Sequence, residues 1–144
     1  MKIQNKKAYF DYLAIDKFEA GVVLTGAETK SLYLGQATLD EAYIKEINGE
    51  LFLVNAHIHP YKFAQSDKTD PKRTRKLLLN KKEILVIIGK LKQGSLAMVP
   101  LSWYNKGRKI KLEIALAKGK KAWEKRDAIK KRDINRDIAQ SLAL

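Results

Sequence analysis

Three clusters in this sequence hold side chains able to do chemistry, each of a different kind. The first is Asp70-Pro71-Lys72-Arg73-Thr74-Arg75-Lys76-Leu77-Leu78-Leu79. Lys72, Arg73, Arg75 and Lys76 offer cations to phosphate oxygens. Each neighbouring leucine is suited either to a core or to packing on an unstacked base. The second is Asn5-Lys6-Lys7-Ala8-Tyr9-Phe10-Asp11-Tyr12, where lysines alternate with rings. That mixture makes a stacking platform for bases, although rings heading a strand are more commonly buried. The third is His57-Ile58-His59, two imidazoles that a strand would turn to one face, as a metal site needs. These are the only histidines, and no acidic pair stands close enough in sequence to complete the ligand set. With no cysteine, no glycine-rich nucleotide loop and no distinct Ser-His-Asp spacing, the expectation is no catalytic residue, no metal, no cofactor and no small-molecule substrate.

Short strands are the elements that must position these clusters. Tyr9 to Leu24 is rich in aromatic and β-branched residues, with a bend or bulge expected at Glu19-Ala20-Gly21. Ala27 to Leu34 reads as a short helix that Gly35 ends in the left-handed conformation. Ala42–Ile47, Asn48-Gly49 and Glu50–Ile58 form the clearest hairpin, because Asn-Gly tolerates the two positive φ angles of a type I′ turn. A loop runs from His59 to Pro71. Asn80 and Glu83 have capping-box spacing before a helix whose apolar face is Ile84, Leu85, Ile88 and Leu91. Ser95 to Tyr104 is a strand bent at Pro100. In Lys109 to Ala117, Ile110, Leu112, Ile114 and Leu116 alternate with Lys109, Lys111 and Glu113. The fold class is therefore mostly β with embedded short helices, a small antiparallel β-barrel of the oligonucleotide-binding type.

Charge narrows the partner. The 144 residues carry a net charge of +13, and the excess is confined to one half. Residues 1–70 hold eight basic and ten acidic side chains, whereas residues 71–144 hold twenty-one and six. Such an excess repels itself unless a polyanion is present, and nucleic acid is the favoured one. From Lys118 the composition changes, dividing the chain into a barrel domain over 1–117 and a basic tail over 118–144. On a helix, Lys118, Lys121, Lys125, Arg132 and Arg136 share one stripe, while Trp123, Ile134 and Ile138 are too sparse to hold that helix in water. The tail is expected to be disordered alone and helical on a partner. Its apolar side is too thin for a lipid surface. No signal peptide and no run long enough to span a bilayer occur, so a soluble, cytoplasmic protein without a membrane partner is expected.

Asn5-Lys6-Lys7-Ala8, Glu19-Ala20-Gly21-Val22, Leu24-Thr25-Gly26-Ala27-Glu28, Lys30-Ser31-Leu32, Asn48-Gly49-Glu50, Arg75-Lys76-Leu77-Leu78-Leu79 and Gly119-Lys120-Lys121 occur in this order. As a set they closely resemble the SsrA-binding protein family, also called small protein B, over nearly the whole chain. The resemblance implies a β-barrel that binds the tRNA-like domain of transfer-messenger RNA and delivers it to stalled bacterial ribosomes for trans-translation. It also implies that Asn5, Glu19 and Leu78 match positions tied to RNA grip. The same resemblance places Gly119, Lys120, Lys121, Trp123, Lys125 and Arg126 in a tail that works in the small-subunit decoding site and mRNA channel, to which the stripe adds Lys118. Lys7, Lys72, Arg73, Arg75 and Lys76 join the expected RNA-binding set; Arg132 and Arg136 join the tail.

Three positions depart from the usual pattern of that family: Thr29 for Val, Tyr33 for Arg and Glu124 for Asp. Tyr33 removes a potential phosphate contact. Two other readings stay open at this point. A general RNA chaperone has no need of Gly119-Lys120-Lys121 with a spaced Lys125-Arg126, and an RNA-processing enzyme would have to rely on His57 and His59.

Overall fold

The described residues, 1–64 and 69–120 of a computed structural model, form a curled seven-stranded antiparallel sheet, a separate two-stranded one and three helices. Strand β1 (Lys2–Gln4) leads into helix α1 (Lys6–Asp11), which is followed by β2 (Tyr12–Val22) and α2 (Gly26–Tyr33). Next come β3 (Ala37–Thr38), β4 (Tyr43–Ile47), β5 (Glu50–Val54), β6 (His57–Ile58) and β7 (Arg75–Leu78). Helix α3 (Lys81–Lys92) and the long pair β8 (Ala97–Lys106) and β9 (Lys109–Gly119) complete the order. Seven strands pair in the sequence β1-β8-β9-β2-β7-β5-β4, and β3 pairs with β6 apart from them. The sheet curls until β4 lies beside β8, giving a barrel whose last seam has no backbone ladder among the described residues.

Alternation in β9 builds the core. Leu112, Ile114 and Leu116 are buried inward with Trp103, Leu51, Leu53, Leu77 and Ile87. On the other face, Ala115 and Ala117 meet Ala8 of α1, Val99 and Leu101, so this end of the strand is covered on both sides. The type I′ hairpin stands as read, with φ +51° at Asn48 and +80° at Gly49. Gly35 has φ +73° directly after α2 and its capping residue Leu34.

Several local expectations change. Residues 6–11 are helical rather than extended, because Asn5 caps them: its side-chain Oδ1 accepts from the Ala8 amide at 3.1 Å. The bulge in β2 falls at Ile15, between Ala14 and Asp16, and Glu19 to Gly21 pair regularly with β9. In α3 the buried side chain is Ile87 with Ile84 and Leu91 at its flanks, whereas Leu85 is 62% exposed. Asn80 makes no side-chain cap bond. The capping box forms instead at α2, where Thr25 Oγ1 accepts from the Glu28 amide and Glu28 Oε1 accepts from the Thr25 amide. Arg75–Leu78, which follows the loop, is a strand. Finally, β9 runs to Gly119 with Lys118 paired to Leu13, so a helical stripe cannot begin at Lys118.

Candidate nucleic-acid interface

Strand pairing sets Lys2, Tyr104, Lys111, Gly21 and Leu78 in one row across β1, β8, β9, β2 and β7. Directly opposed residues in antiparallel strands share a face. Trp103, Leu112, Ala20 and Leu77, each next in sequence, fill the core, so the row faces outward. Gly21 leaves a gap in it. A β-carbon there would lie 3.3 Å from Leu78 Cβ, so Leu78 leans over bare backbone. Arg108, Lys109 and Lys111 rim the resulting cleft. Leu78 is 51% exposed, an apolar side chain in a cationic surround.

Glu19 stands two residues from Gly21 on the same face of β2. Tyr104 Oη donates to Glu19 Oε2 at 2.6 Å, and Lys106 Nζ lies 3.6 Å from Oε1. The Tyr104 hydrogen bond is the largest influence on the carboxyl; burial opposes it, and Lys106 and Lys111 add to it, so the group is held below its ordinary range. Burial and the Glu19 charge push the Tyr104 phenol well up. Glu19 is thus an ionised acceptor and Tyr104 a permanent donor.

The residues expected to touch RNA divide into different environments. Leu78 and Lys76 alternate outward on β7, and Lys76 pairs with Glu50 at 3.1 Å. Arg75 alternates inward and is 0% exposed. Its Nε donates to Glu28 Oε2 at 2.6 Å, and its other nitrogens donate to the carbonyls of Ala56, Arg73 and Pro71. The expectation that Arg75 meets phosphate is therefore corrected: its guanidinium is enclosed and its donors are engaged within the protein. Arg73 bonds the same Glu28 at 2.6 Å and the Val23 carbonyl, but remains part-exposed. Burial raises the Glu28 carboxyl, and Arg73, the Thr25 amide and Arg75 more than offset it.

Asn5 likewise turns inward. It is 3% exposed, with Nδ2 donating to the Pro100 carbonyl at 2.8 Å and its amide donating to the Leu101 carbonyl at 2.7 Å. Those carbonyls are exposed by the break in the β8–β9 ladder between Pro100 and Ser102. A direct base contact by Asn5 gives way to a structural role, that of locking α1 onto β8. Lys7 is exposed and lines a groove with Asp11, Asp40 and Glu41.

Lys72 is exposed and borders a separate cleft with His57 and His59. Those rings meet edge to face at 4.5 Å, and burial, then His59, Lys72 and Arg75, lower the His57 imidazole. No group of three or more histidine or acidic side chains suited to a metal occurs among the described residues.

Lys118 and Gly119 belong to β9, and Lys120 donates from Nζ to the Tyr9 carbonyl and from its amide to the Asp11 carbonyl, both at 2.9 Å. The expectations for Lys121, Trp123, Lys125, Arg126, Arg132 and Arg136 lie outside the described residues.

Gly21, Tyr104, Lys106, Arg108, Lys109 and Lys111 join the site only through the fold. Lys109 and Lys111 did carry a signal, since their alternation with Ile110 and Leu112 turns them outward. Tyr104 carried none. Tyr33 Oη donates to the Arg108 carbonyl at 3.3 Å, tying α2 to the β8–β9 turn.

A barrel with a shallow, cation-rimmed face in which an apolar side chain stands exposed defines a class, the small β-barrel proteins that bind nucleic acid. Within that class the chain belongs to the SmpB protein family, whose model matches residues 2–143. The SsrA-binding protein of Sulfurihydrogenibium sp. (strain YO3AOP1) is 51% identical over 95% of this chain and 90% of its own length. That of Geotalea uraniireducens (strain Rf4) is 49% identical over 96% and 91%. A solved chain from "tmRNA-SmpB: a journey to the center of the bacterial ribosome" superposes with a TM-score of 0.70 at 39% identity, covering 84% of this chain and 85% of that one. Among the described residues no helix is long and apolar enough to cross a membrane.

Proposed function

We propose that this protein binds the tRNA-like domain of transfer-messenger RNA on its outer β2–β7–β9 face and delivers it to stalled ribosomes for trans-translation. It works by binding, in the cytoplasm, without a catalytic step or a cofactor. The observation that carries the reading is Leu78, held out over Gly21 and rimmed by Arg108, Lys109 and Lys111. An apolar side chain at that position packs on a splayed base while the rim neutralises the adjoining phosphates. SsrA-binding relatives covering nearly the whole chain support the choice of RNA. Glu19, Lys76 and Leu78 contact RNA or orient those that do; Lys7, Lys72 and Arg73 add positive potential around it.

The segment after Lys120, with Lys121, Trp123, Lys125, Arg126, Arg132 and Arg136, serves the ribosomal step in the decoding site and mRNA channel. A domain boundary after Lys120 suits this division better than one after Ala117, because β9 and its contacts to α1 extend that far. Sequencing the RNA that co-purifies with the native protein tests the reading. Transfer-messenger RNA should dominate; a broad spread of messenger fragments would overturn it. Truncation after Lys120 should keep binding to a tRNA-like-domain transcript and abolish tagging in a stalled-ribosome assay.

A further inference from the structure

We infer that Tyr104 is a positioning residue that aims the Glu19 carboxylate at the N1–H and N2–H donors of one unpaired guanine lying over Gly21. The inference rests on the RNA-binding reading above and adds to it the base and the residue that selects it.

The count of acceptor sites leads to guanine. A carboxylate offers about four lone-pair sites on its two oxygens. Tyr104 occupies one on Oε2, at the short 2.6 Å of a charge-assisted O–H donor, and Lys106 approaches one on Oε1 at 3.6 Å. One acceptor site is left on each oxygen. Two acceptors side by side complement two donors side by side, and only guanine presents such a pair on its Watson–Crick edge. Adenine and cytosine each set a ring acceptor beside one amino group, so one carboxylate oxygen would face a lone pair. Uracil has a single N3–H between two carbonyls. Glu113 lies directly opposite Glu19 in β9 and pairs with Lys17 at 3.5 Å, whereas Glu19 holds the hydroxyl of Tyr104. In a face rimmed mainly by lysine and arginine, an anion at this point repels phosphate and serves readout rather than attraction.

The strand register places the base. Glu19 and Gly21 project from the same face of β2, and Gly21 lies between Lys111 and Leu78 in the cross-strand row. Leu78 covers the Gly21 backbone, and a base in the cleft that Gly21 and Leu78 line with Arg108, Lys109 and Lys111 would border Leu78 on one side. Tyr104 is half-buried in β8, two strands from Glu19, so its hydroxyl is fixed by the barrel rather than by the turn at Gly107. Without that bond only the exposed Lys106, 3.6 Å from Oε1, restrains the Glu19 side chain, and the ordering cost falls on RNA binding.

The test uses full-length protein and a tRNA-like-domain transcript of transfer-messenger RNA, with inosine replacing unpaired guanines one position at a time. Inosine keeps N1–H and lacks the N2 amino group. One position should weaken wild-type binding by about tenfold, the size of one hydrogen bond to a charged group. Tyr104→Phe should bind the parent RNA about tenfold more weakly, with the inosine penalty at that position reduced to about twofold or less. Glu19→Gln should lose the same penalty. Both variants should keep the parent melting temperature and the parent salt dependence, since no phosphate contact is removed.

A Tyr104→Phe protein that retains the full inosine penalty overturns the inference, as does the absence of any sensitive guanine. Early melting of Tyr104→Phe would also overturn it, by making the residue a structural support. A wild-type chain that does not bind the transcript overturns the RNA reading itself, and this inference with it.

Discussion

Glu28→Ala should be the most damaging single change to this fold away from its large apolar side chains. Glu28 is nearly buried and holds three partners: the Thr25 amide, Arg73 and Arg75. Removing one member of a buried ion pair costs about 3–5 kcal/mol, chiefly because the other charge stays buried without a counter-ion. Arg75 would still donate to three carbonyls, which places the electrostatic loss at the low end, about 3 kcal/mol. The lost capping bond adds about 1 kcal/mol. The resulting loss of about 4 kcal/mol is a large share of the roughly 5–15 kcal/mol that holds a domain of this size. It corresponds to a fall of roughly 15 °C in melting temperature.

Urea denaturation followed by circular dichroism, parent against variant at pH 7, measures it. The Glu28 carboxyl lies below its ordinary 4.5 in the folded protein, so its contribution is fully present above about pH 4.5. It is lost as pH falls through the lower folded value, and the gap between parent and variant should narrow there. A variant within 1 kcal/mol of the parent at pH 7 would refute the reasoning and mean that solvent screens Arg75 after all.

Leu78→Asn should weaken RNA binding by about 1–3 kcal/mol, the range for one stacking contact, while the melting temperature hardly moves because the side chain is half-exposed. A large stability loss with unchanged affinity would count against the outer-face site. Gly21→Val should fill the gap beneath the base and displace Leu78, whose Cβ already lies 3.3 Å from an added β-carbon; filter binding should show reduced affinity, and unchanged binding would remove the cleft from the site. Ala128→Pro should abolish tagging on stalled ribosomes at a helix cost of about 3 kcal/mol without altering binding to the transcript. A fully active proline variant would mean that the tail works in an extended form.

Local signals in the chain were sufficient for much of the barrel. Asn48-Gly49 demanded a tight hairpin, Gly35 a helix end, and the alternation from Ile110 to Leu116 a strand with one face in the core; in each case the cause lies within a few residues. Lys109 and Lys111 were already turned outward by that same pattern. What sequence alone left open was the destination of side chains with two good options. Arg75 and Lys76 are adjacent cations, yet the two-residue period of β7 sends one into a buried pair with Glu28 and the other to solvent. The same period separates Leu77 from Leu78. Asn5 had the chemistry to meet a base, but a ladder break about a hundred residues away offered it two carbonyls, and burial decided its role. The row from Tyr104 through Lys111 and Gly21 to Leu78 draws on four strands, of which only β8 and β9 are neighbours in the chain. No local periodicity carries such a row, because cross-strand register is set only when the sheet curls and the core closes beneath it.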